Sequence, residues 1–171
     1  YYDAALDFIE DQTKNRKNFF VYLPTNAPHG PFHDVPQEWY DYYKNRDLSS
    51  SQFPQKIGHA LPEKWDDDKL ARIYAMISNI DDNVKKLFVR LEELGQAENT
   101  LVLFMVDNGP NTRRFVAGMQ GMKTTISEGG VRSPLYLHWP KNLAAGQTSD
   151  RDVAHIDILP TLLEACGVKA P

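Results

Sequence analysis

An apolar run from Leu101 to Val106 ends in three residues whose types suit a ligand site: Asp107, Asn108 and Gly109. Open α/β sheets place their active sites where the strands reach their carboxyl ends. Carboxylate and amide oxygens are ligands that a hard cation such as Ca²⁺ accepts. The same residue types are also ordinary in turns, so a simple strand-to-turn junction is the alternative interpretation.

Lys123 lies further along the chain, in a glycine-rich stretch that closes with Glu128-Gly129-Gly130. Its ammonium group is a compact positive charge suited to binding an anionic group. Taken alone, this residue is also typical of a solvated surface lysine. Combined with Asp107 and Asn108, it predicts a site that holds a metal ion together with an oxyanion.

His29 lies in the segment Thr-Asn-Ala-Pro-His-Gly-Pro, which directly follows the apolar run at residues 19–23. Pro28 and Pro31 restrict the residues before them to extended shapes, so the loop is expected to be stiff. An imidazole presented at the end of a strand suits a proton donor or a contact to an anion. A surface histidine in a proline-rich turn is the alternative.

The basic pair Arg113-Arg114 follows the Asp-Asn pair on the same loop. Either guanidinium, and Arg113 in particular, is a candidate contact for an anionic substrate, although exposed neighbouring arginines are usually just solvated. His33 and His59 have no partners at metal-ligand spacing, and both are predicted to lie on the surface.

The hydrophobic periodicity predicts an alternating order of helices and strands. Helices are expected at residues 2–14, 37–44, 66–94 and 156–166, and strands at 19–23, 100–106 and 135–138. This order is typical of an α/β fold with a mostly parallel sheet and flanking helices. If the first two strands are parallel neighbours, His29 and Asp107 leave the same edge of the sheet. The loop at 109–130 is then long enough to fold Lys123 back over that edge.

Residues 33–69 are predicted to form a long loop or insert, because most of the stretch lacks periodicity and is rich in proline. Its short helix contains an aromatic cluster that has two equally supported interpretations. The cluster either forms a wall on which a sugar stacks or packs the added helix against the core. Its members are Trp39, Tyr40, Tyr42 and Tyr43.

Length and composition fit one soluble globular domain or part of a larger one. The chain has 171 residues, 42% of them hydrophobic and 25% charged, and a net charge of −4 without a basic stripe, which argues against nucleic-acid binding. No apolar stretch approaches the roughly 20 residues that span a bilayer. The chain begins Tyr-Tyr-Asp without an initiator methionine, as expected for the interior of a longer gene product.

Five segments together resemble the later part of the catalytic domain of the sulfatase family, within the alkaline phosphatase superfamily. They cover most of the chain except residues 33–69, and their order and spacing make the resemblance specific. On this basis residues 1–171 are a single, partial sulfatase domain. The segments are NAPHGPF at 26–32, IDDNVKKLFVRLEELG at 80–95, LVLFMVDNGP at 101–110, GMQGMKTTISEGGVRSPLYLHWP at 118–140 and HIDILPTLLEACG at 155–167.

The resemblance implies a role for each matching residue. Asp107 and Asn108 would be two ligands of the active-site Ca²⁺, and Asp107 would also lie close to the nucleophile. His29 would contact the sulfate and protonate the leaving alcohol, and Lys123 would bind a sulfate oxygen. Glu128 and Arg132 are expected to form a structural ion pair, because they belong to the family's EGG-x-R segment.

The chain also departs from the family pattern. Sulfatases use a formylglycine made from Cys or Ser in a C/S-x-P-x-R motif, and this sequence contains no such motif. The family's early aspartate pair, which completes the calcium shell, is also absent. The chain is therefore interpreted as a fragment that is inactive alone and binds Ca²⁺ weakly or not at all, with the formylglycine located upstream.

The intact protein is expected to be a sulfuric ester hydrolase that acts on a sulfated small molecule or glycan, located in the periplasm or secreted. Two alternatives remain open: a non-catalytic module that binds an anion or glycan, and a related phosphodiesterase or phosphonate hydrolase. The phosphodiesterase alternative is disfavoured because such enzymes tend to assemble two metals from more Asp and His residues. The fragment is also expected to self-associate through exposed sheet edges.

Overall fold

A computed structural model of the chain describes residues 1–49 and 58–169. In these ranges three helices pack together near the N-terminus, and a two-stranded sheet with a long loop follows them. Short 3₁₀ turns occur at Ala97–Asn99 and His155–Asp157. The elements are α1 (Tyr2–Lys14), α2 (Gln37–Lys44), α3 (Asp67–Glu93), β1 (Val102–Met105), α4 (Glu128–Val131), β2 (Leu135–His138) and α5 (Ile158–Ala165).

The long helix α3 is the element on which α1 and α2 pack. It begins after Asp66, whose carboxylate accepts a 2.9 Å hydrogen bond from the Lys69 amide and so caps the first turn. It ends before Gly95, whose φ of +66° is the left-handed conformation that commonly closes a helix. The helix predicted at residues 66–94 is therefore confirmed together with both of its end signals.

The helix α2 packs on α3 through small residues that leave room for a ring. Tyr40 is buried against Ala71 and Ala75, which are fully buried and lie one helical turn apart on α3. The Tyr40 hydroxyl donates to the Asp68 carboxylate. Trp39 Nε1 donates to Asp82 Oδ2 at 2.6 Å.

These contacts decide between the two interpretations of the aromatic cluster. Trp39 and Tyr40 use their rings and polar atoms within the α2–α3 contact, and Tyr43 Oη lies 2.9 Å from Ser78 Oγ. Tyr42 differs, because it is exposed and the Arg46 guanidinium lies 3.9 Å from the centre of its ring. The cluster therefore packs the helix, and three of its four rings are not free to stack on a sugar.

The described residues form one sheet, in which β1 and β2 pair antiparallel from Val102 opposite His138 to Met105 opposite Leu135. The Val106 amide continues this ladder by donating to Pro134 O at 3.1 Å. A parallel pair needs a crossover across the face of the sheet, usually a helix. The connection here is instead a loop with a single helical turn, so the predicted mostly parallel sheet is not confirmed.

The predicted strand at residues 19–23 has no regular secondary structure and no strand partner among the described residues. Its side chains alternate between half-buried and exposed, and Phe20 and Tyr22 are 71% and 79% exposed. An apolar, aromatic run favours an extended backbone, but a strand also needs a neighbour for its amides and carbonyls. The expected parallel pairing of this segment with β1 is absent from the described ranges.

None of the helices in the described ranges combines the length and the apolar character that crossing a bilayer requires. The predicted helices at 2–14 and 37–44 match α1 and α2 at both ends. The helix predicted at 156–166 begins instead as a 3₁₀ turn and continues as α5.

The α2–α3 contact yields a stability prediction. Ala75→Leu should lower the free energy of unfolding by about 1–3 kcal/mol, because the larger side chain overpacks a fully buried position under Tyr40. Ala4→Leu on the exposed face of α1 is the matched control, with an expected change within about 0.5 kcal/mol. Urea denaturation measures both variants, and equal effects would contradict the packing described here.

Candidate active site

The segment from Gly109 to Gly130 folds back on the carboxyl end of β1. The Gly109 amide donates to Gly130 O at 2.9 Å, and the Gly129 amide donates to Gln120 O at 2.8 Å. A Cβ added to Gly109 would overlap the carbonyl oxygen of Gly129, so the two backbones approach more closely than any side chain permits. These contacts fix both ends of the loop beside the Asp-Asn pair.

Lys123 occupies a tight turn inside this loop. The Thr125 amide donates to Met122 O at 3.0 Å, and Thr124 has a φ of +75°, which is typical of the third residue of a type II turn. The Lys123 amide donates to Pro110 O at 2.8 Å. The backbone of Lys123 is thereby held to a residue three positions after Asp107, although the parallel strand pairing from which this approach was expected is absent from the described ranges.

The Asp107 and Asn108 side chains leave the end of β1 with their oxygens available. Asp107 is exposed and Asn108 is half-buried, and neither side chain makes a hydrogen bond or ion pair within the described ranges. One carboxylate and one amide oxygen fit a hard cation by donor type. Within residues 1–49 and 58–169, no group of three or more His, Cys, Asp or Glu residues completes such a site.

His29 is exposed at the tip of a turn in which its own amide donates to Asn26 O at 2.9 Å. Its Nδ1 lies 2.8 Å from Gly30 O, and since a carbonyl only accepts, Nδ1 carries the proton. The Nε2 atom is then the unprotonated nitrogen of the neutral ring, and only a protonated ring would offer it as a donor. No hydrogen bond in the described part of the chain joins His29 to the loop that holds Lys123.

The two neighbouring arginines differ in their surroundings. Arg113 is exposed and makes no hydrogen bond or ion pair with the described residues. Arg114 is half-buried, and its Nε and Nη2 donate to Thr112 Oγ1 at 3.2 and 2.7 Å. Burial lowers the pKa of Arg114 from its usual value, while the nearby Tyr74 acts in the opposite direction. Arg114 is thus held by hydrogen bonds, whereas Arg113, the candidate substrate contact predicted from the sequence, is exposed to solvent.

His59 is a residue of this site that the sequence interpretation missed. It was predicted to lie on the surface with His33, and His33 is indeed exposed. His59 is half-buried instead, with Nε2 3.1 Å from Arg114 O and Nδ1 accepting from the Gly121 amide at 3.1 Å. Its partners are 55 and 62 residues away in sequence, so no local pattern signals these contacts.

The expected ion pair between Glu128 and Arg132 is present, with Oε1 and Nη1 3.7 Å apart across one turn. Both side chains are about two-thirds exposed, at 66% and 70%. Such exposed pairs contribute little to the free energy of unfolding, so this pair is not expected to stabilise the loop substantially.

Comparison with known proteins identifies the family. The sulfatase family model matches residues 1–168. The chain belongs to the sulfatase family. The mouse (Mus musculus) N-acetylgalactosamine-6-sulfatase is 32% identical over 177 residues, and human (Homo sapiens) arylsulfatase A is 29% identical over 176 residues. Both alignments cover the whole of this chain but only 29% of the relative, so the chain spans less than a third of their length.

A solved structure shares the fold of this chain. The crystal structure of Ps i-CgsB in complex with k-i-k-neocarrahexaose superposes with a TM-score of 0.77 at 27% identity. The match covers 99% of this chain and 34% of that chain. The resemblance to sulfatases inferred from the five sequence segments is therefore confirmed, and the α/β fold is that of an alkaline-phosphatase-like domain.

A glycine-to-alanine substitution, which adds a single methyl group, tests the close packing of the loop. A Cβ at Gly130 would overlap the Thr125 carbonyl oxygen and lie 2.5 Å from that of Met122. Gly130→Ala should therefore lower the free energy of unfolding by about 2–3 kcal/mol and expose the amides of residues 109–130 to exchange. At Gly146, where an added Cβ meets nothing within 4 Å, alanine should cost only the roughly 1 kcal/mol of a left-handed residue. Equal effects in denaturation and hydrogen exchange would contradict this packing.

Proposed function

We propose that the protein containing this chain hydrolyses sulfate esters and that the chain supplies part of its metal and sulfate site. The observation that supports this most is the backbone hydrogen bond from Lys123 to Pro110. It joins the backbone of Lys123 to the segment that carries Asp107 and Asn108, whose side-chain oxygens are not used by the described residues. Membership of the sulfatase family supports the same activity.

Each residue has a defined task in this proposal. Asp107 and Asn108 hold Ca²⁺, and the neutral amide limits the number of mutually repelling carboxylates around the cation. When bound, the cation stabilises negative charge on the sulfate oxygens. Lys123 binds a sulfate oxygen, and its ammonium stabilises the charge that grows on the bridging oxygen as the S–O bond breaks. His29 donates a proton from Nε2 to the leaving alkoxide.

The nucleophile is proposed to be a formylglycine in a segment outside this chain, since these residues contain no C/S-x-P-x-R motif. The further calcium ligands are proposed to come from the same segment. The chain alone is accordingly proposed to be inactive, with weak or no binding of Ca²⁺, because two ligands fall well short of the six to eight oxygens this ion takes.

The proposed substrate is a sulfated carbohydrate, acted on in the periplasm or outside the cell. Two similar proteins support a carbohydrate: one is named N-acetylgalactosamine-6-sulfatase, and the other was crystallised with k-i-k-neocarrahexaose. Arg113, exposed on the loop after the Asp-Asn pair, is proposed to contact an anionic group of that substrate.

Replacing Lys123 tests the proposed activity in the intact, fully matured protein. Lys123→Ala should lower kcat/KM for an aryl sulfate by on the order of 10²–10³-fold, because it removes a charge that stabilises the transition state. Lys141→Ala, at an exposed lysine after β2, is the control and should match the wild type. An intact protein that binds sulfated oligosaccharides without hydrolysing them would support a binding module instead, and preference for a phosphodiester would support phosphoryl chemistry.

Self-association of the isolated chain is a separate proposal. The segment at residues 19–23 exposes Phe20 and Tyr22, and β2 exposes Tyr136 and Leu137. Exposed apolar side chains and the unpaired edges of a sheet favour pairing with another chain. Light scattering on the isolated chain should show a mass that rises with concentration, whereas a monomer at high concentration would contradict this proposal.

A further inference from the structure

His59 connects the two arms of the loop that holds Lys123. On the outgoing arm, Arg114 O lies 3.1 Å from His59 Nε2. On the returning arm, the Gly121 amide donates to His59 Nδ1 at 3.1 Å. The imidazole thus joins the two arms at a separate place from the backbone hydrogen bonds that link Gly109 to Gly130 and Lys123 to Pro110.

The two hydrogen bonds require one particular form of the ring. An amide N–H only donates, so Nδ1 must present its lone pair to Gly121. A carbonyl only accepts, so Nε2 must carry a proton towards Arg114. A neutral imidazole protonated on Nε2 satisfies both partners, while the other tautomer satisfies neither.

The contact with Gly121 is transmitted to Lys123 by the turn that follows. Met122 donates its amide to Thr125 Oγ1 at 3.1 Å and accepts the Thr125 amide at 3.0 Å. Gly121 has a φ of +97°, and a Cβ there would lie 2.5 Å from Thr125 Oγ1, so it packs directly on this turn. Lys123 is therefore fixed from one side by His59 through Gly121 and from the other by Pro110.

We propose that His59 is a positioning residue for Lys123, and that its Nε2-protonated imidazole sets where the ammonium group stands relative to Asp107 and Asn108. The kinetic consequence of this proposal rests on the sulfatase function proposed above. It assigns His59 no contact with the substrate. A displacement of about 1 Å in a charged group at a reacting centre costs on the order of 10²-fold in rate. Loss of the two hydrogen bonds that His59 makes to Arg114 and Gly121, here called the clamp, should therefore have a measurable effect on the rate.

Two substitutions separate the hydrogen bonds from the bulk of the ring. His59→Leu removes both hydrogen bonds and retains an apolar side chain of similar size. His59→Gln retains one acceptor and one donor, and so can restore part of the clamp. His33→Leu is the matched control, because His33 is the exposed histidine of the same region and has no contact with the loop in the described residues.

The kinetic test is a double-mutant cycle with Lys123→Ala in the intact protein. His59→Leu alone should lower kcat/KM for an aryl sulfate by on the order of 10–100-fold, with His59→Gln between it and the wild type. His33→Leu should leave it unchanged. In the Lys123→Ala background, His59→Leu should add little further loss, because the residue through which it acts is gone. Losses that simply multiply would show that His59 supports the fold in general and would overturn the proposal.

A spectroscopic test reports on the clamp without any turnover. Nitrogen chemical shifts of the His59 ring should show Nε2 protonated and Nδ1 unprotonated, and His59→Leu should abolish the hydrogen-exchange protection of the Gly121 amide. An Nδ1-protonated ring, or unchanged protection at Gly121, would overturn the proposal whatever the activity. If the clamp is present in a correctly matured protein that hydrolyses no sulfate ester, the clamp stands and the proposed function fails.

Discussion

The hydrogen bond from the Lys123 amide to Pro110 O is the constraint on which the candidate site depends. It joins the middle of the 109–130 loop to the segment that directly follows β1 and the Asp-Asn pair. The glycines make this closure possible, because no side chain separates the two backbones and the Gly109 amide can donate to Gly130 O. A side chain at Gly109 would meet the Gly129 carbonyl, and one at Gly130 would meet the carbonyls of Met122 and Thr125 on either side of Lys123.

The two parts of the chain are stabilised by different interactions. The helical part buries apolar side chains, such as Tyr40 against Ala71 and Ala75, and so has a small core of its own. The loop at 109–130 buries only Gly129 and Gly130 and is held mainly by hydrogen bonds between backbone groups. Segments with few buried apolar contacts open at lower free energy. A half-buried histidine that joins the two arms is therefore of more consequence in this loop than it would be in a core.

The sequence predicted the features that depend on near neighbours. The bounds of α1, α2 and α3 follow from apolar periodicity and from local end signals such as Asp66 and Gly95. The chemical types at Asp107, Asn108, Lys123 and His29 were likewise visible, and their order matched a family to which the chain does belong. Their catalytic and metal-binding roles stay proposals.

The features that depend on distant partners were not predictable in the same way. The antiparallel pairing of β1 and β2 depends on the path of the intervening loop, which periodicity does not report. The segment at 19–23 has strand composition, but composition does not supply the neighbouring strand. His59 contacts residues more than 50 positions away, so only the folded backbone reveals it.

The most direct test of this account is a crystal structure of the intact, matured protein grown with Ca²⁺ and inorganic sulfate. Oxygens of Asp107 and Asn108 should lie about 2.3–2.6 Å from the cation. Lys123 Nζ should donate a hydrogen bond to the sulfate, and His59 should contact both arms of the loop. A cation held without the Asp-Asn pair, or Lys123 directed away from the sulfate, would contradict it.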